Sequence, residues 1–142
     1  MAGEPRKPMV ITYEGGLRFA VEIGKHWLVV DQPERSGGKD AGPSPIQLLG
    51  ASLGSCVALY VRQFCETRSL PYEGMRVEVT QVGAQHPNRI DEFDVRVILP
   101  QELPEPYPEK LDAAIRSCPA YNTLVRGAQI QIGIEHAEAS QP

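Results

Sequence analysis

Cysteine is scarce in this chain: three in 142 residues, an odd number far below the density of a disulfide scaffold. In a reducing compartment such thiols are expected to be free, catalytic or redox-active rather than structural. No two of them form a CxxC. His26, His86 and His136 lie in three separate segments with no HxxxH, so the spacing of a zinc site is missing and no metal is expected. No GxGxxG joins a strand to a helix and no GxxxxGK[ST] occurs, which leaves nucleotide binding without support. Gly54-Ser55-Cys56 lacks the closing glycine of a nucleophile elbow. A run of basic residues is also absent, and the net charge of −4 argues against nucleic acid or an anionic membrane as partner. The opening MAGEPRKP has no apolar core of the kind a signal peptide needs, so the cytoplasm is the expected location. Repeats and low-complexity tracts are missing too. One domain over 1–142 is expected, with 1–8 and 136–142 as frayed tails.

What is present is one unusual stretch, Ser44 to Leu70. Ser44 can cap a helix and Pro45 fits its first turn, where the absent N–H costs nothing. From Ile46 to Phe64 the only charge is Arg62, so this helix is apolar nearly all round and is expected at the centre of the molecule. It is short and rich in Gly and Ser for a membrane span. Gly50, Ala51, Ser52, Gly54, Ser55 and Ala58 surround Cys56 and would let neighbouring backbone approach closely.

Around it the chain alternates. Met9–Glu14 and Leu17–Ile23 read as strands joined by Gly15-Gly16, and His26–Asp31 as a third. The polar, glycine-bearing stretch Gln32–Pro43 is a loop. Met75–Ala84 and a second alternating run through Phe93, Val95, Val97 and Leu99 predict an antiparallel hairpin. Four prolines between 100 and 108 exclude helix and central strand. A short helix over Glu109–Ser117 should end at Cys118-Pro119, and Ile130, Ile132 and Ile134 should mark a last strand. The fold class is therefore α+β with a mostly antiparallel sheet. One six-stranded sheet covers one side of the apolar helix and the short helix part of the rest. A second copy of the chain is the economical cover for the remainder, which predicts an intimate homodimer.

Cys56 and Cys65 are nine residues apart, on opposite sides of one helix, and cannot pair within it. Cys118 lies where regular structure ends. Free cysteine is among the most buried residue types, so each of the three could equally be core filler.

Three segments resemble the OsmC/Ohr family, the osmotically inducible protein C and organic hydroperoxide resistance proteins, nearer the general OsmC-like branch. They are GGLRF (15–19), VDQPERSGGKDAGPSPIQLLGASLGSC (30–56) and SCPAYNTL (117–124), in the family's order and with its separation between two thiols. The resemblance implies an intertwined homodimer with the long helix central and sheets wrapped outside. It also implies a thiol peroxidase acting on organic hydroperoxides. Cys56 would then be the peroxidatic residue, forming a sulfenic acid that Cys118 resolves as a disulfide. No cofactor would be bound; an external thiol or dithiol, of lipoyl type, would reduce the pair.

Such chemistry needs a thiolate, and a free thiol titrates near 8.5, so a cation or hydrogen-bond donors must lower it. Cys56 is too deep in its helix to draw on the N-terminal dipole. In the family an arginine from the first hairpin serves. Here Leu17 follows Gly15-Gly16 and Arg18 comes next, a one-place shift that changes the face. Arg18 is the first candidate and Arg35, in the loop before the helix, the second. Peroxidases of the family also place a glutamate just after the helix-opening proline, where this chain has Ile46-Gln47. That departure leaves a second reading open, a non-catalytic dimer that binds a small lipophilic ligand or senses redox state.

Overall fold

The computed structural model describes residues 3–138. The order is β1 (Val10–Gly15), β2 (Arg18–Ile23), β3 (His26–Val30), a one-turn 3-10 helix (Glu34–Ser36), α1 (Pro45–Thr67), β4 (Arg76–Ala84), β5 (Arg89–Ile98), α2 (Tyr107–Ile115) and α3 (Pro119–Arg126). This is α+β, and both sheets are antiparallel.

The chain begins as a meander, β1-β2-β3. Gly15 and Gly16, at φ 112° and 57°, make the first turn in a region other residues avoid. β4 and β5 form the second sheet, with Val77 opposite Val97 and Val79 opposite Val95. The valines of these pairs are half-buried while Glu78 and Arg96 between them are exposed, the period-2 pattern read from the sequence.

α1 starts as its sequence predicts. Ser44 Oγ accepts from the Gln47 amide at 3.3 Å and Gln47 Oε1 accepts from the Ser44 amide at 2.8 Å, a reciprocal cap worth about 1 kcal/mol. The helix lies on β4 so closely that a methyl on Gly54 would come within 2.8 Å of Val79 Cγ2. Leu53, Val57, Val61, Phe64 and Cys65 are buried with Leu111 of α2 in one core. Tyr107 meets Phe64 edge-on with ring centres 6.1 Å apart.

Four expectations are corrected. The predicted single six-stranded sheet is a three-stranded and a two-stranded sheet. Ile130, Ile132 and Ile134 lie in no strand: they are 82%, 86% and 85% exposed, because an extended segment becomes a strand only beside a free sheet edge, and the folded chain brings none to it. A third helix, α3, follows Cys118, since proline both ends the helix before it and suits the first position of the next. Finally, α1 has 23 residues, long and apolar enough to cross a membrane by length and composition, yet one of its sides packs into the core while Leu59 on the other is 49% exposed.

A thiol pair between two helices

Cys56 sits at the edge of the buried side of α1, half-buried, between the buried Leu53 and Val57. Cys118 is fully buried at the position that caps α3. The packing of α3 against α1 brings the two thiols close enough for Cys56 to act on the Cys118 thiol. Burial pushes the Cys118 thiol up, and the contact with Cys56 pushes it further, while the amides of Tyr121 and Ala120 act weakly the other way. No arginine figures among these influences. The hydroxyls beside Cys56 are engaged elsewhere: Ser55 Oγ donates to the Ala51 carbonyl at 2.7 Å and Ser52 Oγ to that of Leu49 at 2.8 Å.

A groove of about 720 Å³ has Leu49, Leu53, Phe93, Val95, Tyr121 and Leu124 in its walls with Arg89, Asp91 and Glu92 beside them, and neither thiol lines it. Leu53 precedes Cys56 by one helical turn and Tyr121 follows Cys118 by three residues. The third thiol, Cys65, is buried in the core on the far side of α1, and burial raises it as well. Cys65 fits the core-filler reading; Cys56 and Cys118 meet.

The two candidate cations lie apart from that meeting point in the sequence of elements. Arg18, on β2, has its Nε 3.7 Å from Glu14 Oε1 and lines a cleft of about 340 Å³ with Asp31 and Lys39. Arg35 belongs to the 3-10 turn. Gln47 uses its carbonyl oxygen in the helix cap. Among the described residues no group of three or more His, Cys, Asp or Glu side chains could hold a metal ion.

Asp31 is a buried anchor of the loop before α1 that no sequence motif marks. It is the one buried charged side chain among the described residues. Its carboxylate accepts from the amides of Gln32, Ala41 and Lys39 at 2.7, 3.1 and 3.2 Å, which holds it below the ordinary carboxylate range against the opposing effect of burial. Gly38 lies so close under the clasp that a methyl there would overlap the Gln32 carbonyl. The loop carrying Arg35 is therefore shaped by Asp31, and the buried acid followed by a Gly-rich dozen was its only signal in the sequence.

Residues 37–133 match the model of the OsmC-like protein family, a span that includes both Cys56 and Cys118. The chain belongs to the OsmC-like family. Arg18 and Arg35 fall before the matched span. Among solved structures, this OsmC-like chain is similar to a Psychrobacter arcticus protein named for osmotic stress induction and detoxification response. The two are 25% identical with a TM-score of 0.77, over 87% of this chain and 91% of that one. An OsmC-like protein of Mycoplasma pneumoniae shares the fold at 17% identity and TM-score 0.72, over 88% and 90%. So does an organic hydroperoxide resistance protein from Legionella pneumophila, at 23% and 0.55, over 87% and 93%. Comparison with curated proteins finds no match.

Proposed function

We propose that this OsmC-like protein is a thiol-dependent peroxidase that reduces organic hydroperoxides in defence against oxidative stress. The observation that carries the reading is the approach of Cys56 and Cys118, 62 positions apart in sequence, where α3 packs on α1. The Cys56 thiolate attacks the distal peroxide oxygen; the O–O bond breaks, an alcohol leaves with a proton, and Cys56 becomes a sulfenic acid. The Cys118 sulfur then attacks Cys56 Sγ, the S–S bond forms, the S–O bond breaks and water departs. Each thiol has lost one electron, and the peroxide has gained both. An external dithiol, of the lipoyl type, returns the pair to the reduced state by exchange. A cytoplasmic setting suits a disulfide that must be re-reduced after every turnover.

Arg18 and Arg35 remain the candidates for keeping Cys56 ionised, by way of a second copy of the chain. A homodimer is supported by apolar side chains left in the open: Ile11, Tyr13 and Trp27 on the first sheet, Leu59 on α1, and the three isoleucines after α3. The apolar groove and the cap-bound Gln47 favour a second reading, a non-catalytic dimer that holds a small lipophilic ligand or senses redox state. One experiment separates the peroxidase from the ligand binder. Free thiols are titrated before and after one equivalent of cumene hydroperoxide, in the wild type and in Cys56→Ser. The peroxidase loses two thiols rapidly and the variant loses none at that rate; a wild type that keeps its thiols is a binder.

A further inference from the structure

Resting on the peroxidase reading, we infer that Asn122 is a positioning residue for the second chemical step, fixing the backbone from which the Cys118 sulfur projects. Cys118 stands between two helices, at the end of a tight turn. Its amide donates to the Ile115 carbonyl at 3.0 Å, closing α2, and its own carbonyl accepts the Asn122 amide at 3.0 Å, opening α3. Into this junction Asn122 reaches back with its side chain. Nδ2 donates to the Cys118 carbonyl and to the Arg116 carbonyl, both at 3.1 Å. The Arg116 carbonyl belongs to the end of α2, where helices leave acceptors without internal partners. Oδ1 accepts from Arg126 Nε at 3.3 Å. Two carbonyls on one side and a guanidinium on the other fix which end of the amide is which.

The consequence is local to the sulfur. Attack on a sulfenic acid demands that the incoming sulfur lie near the axis of the breaking S–O bond, and small displacements of an attacking atom are expensive in rate. Cys118 is buried, so its side chain has little room to search, and its direction is set by its backbone. One side chain clamps that backbone from both flanks. A separate strap, Asp112–Arg116–Tyr121, also ties α2 to α3, with Arg116 Nε 2.8 Å from Asp112 Oδ2 and Nη1 2.9 Å from the Tyr121 hydroxyl. Asp112 and Arg116 in that strap are exposed, and the strap's side chains bond to neither carbonyl, which makes it the natural comparison.

The test follows both steps in rapid-mixing experiments with cumene hydroperoxide, reading sulfenic acid by dimedone trapping and disulfide by thiol loss. Asn122→Asp keeps the shape but turns oxygen toward both carbonyls; Asn122→Ser shortens the side chain and serves if the first variant folds poorly. Loss of two hydrogen bonds of ordinary strength slows disulfide formation about tenfold and lets dimedone trap correspondingly more sulfenic acid. Asp112→Ala, which removes the carboxylate that steadies Arg116 on its way to Tyr121, leaves that partition at the wild-type value. Variants that resolve the sulfenic acid at the wild-type rate overturn the inference, as does equal slowing in Asp112→Ala. If the wild type itself forms no sulfenic acid, the peroxidase reading fails and takes this one with it.

Discussion

Gly54→Ala sets two known quantities against each other at the contact that seats the thiol-bearing helix on its sheet. Alanine in a helix interior is favoured over glycine by about 1 kcal/mol. Against this, the new methyl would lie 2.8 Å from Val79 Cγ2, where an unstrained carbon pair sits at about 3.5–4.0 Å. β4 must retreat or Val79 must leave its rotamer, and overpacking of this kind costs about 1–3 kcal/mol. The clash outweighs the propensity, leaving Gly54→Ala destabilised by about 1 kcal/mol, or about 3–4 °C in Tm for a domain of this size. Val79→Ala alone removes two half-buried methyl equivalents and also costs about 1 kcal/mol. The double variant puts one small side chain in the space of the other and keeps the helix gain, so it returns close to the wild type. Urea unfolding of the four proteins then yields a coupling of about 2 kcal/mol. Single effects that simply add within about 0.3 kcal/mol would refute the close approach of α1 and β4 on which the site rests.

Two further outcomes are expected. Asp31, held below the carboxylate value of 3.8 by three amides, stabilises the fold above that value, and its contribution drains away as pH falls through its lowered pKa. Urea midpoints measured from about pH 6 down to about pH 2 should fall more steeply for the wild type than for Asp31→Asn; parallel slopes would show the clasp to be idle. Sedimentation equilibrium should return twice the chain mass of 15.6 kDa, and a monomer at micromolar concentration would leave the exposed apolar faces unexplained.

Much of the local structure was legible in the sequence because it follows from nearest neighbours. Ser44-Pro45 with Gln47 three residues on marks a helix start, and the structure makes that reciprocal cap. The alternation at Val77 and Val79 against Val95 and Val97 fixes both the hairpin and its inward face. Cys118-Pro119 is both a stop and a start: proline ends the helix before it and suits the first position of α3, so the local sequence leaves the two outcomes undivided. The alternation of Ile130, Ile132 and Ile134 is real although no strand forms there, because alternation states only which residues want cover and never where the cover is.

The order of the residues alone determined the long helix with its cap, the glycine turn of the first hairpin and the alternation of the second, because periodicity, capping and turn chemistry act over a few positions. Which two sulfurs meet is a different kind of fact. Cys56 and Cys65 share a helix and face apart, whereas Cys56 and Cys118 belong to separate helices and converge. The docking of α3 on α1 decides that convergence, and the carbonyl clamp of Asn122 is visible only once the turn between α2 and α3 has closed around it.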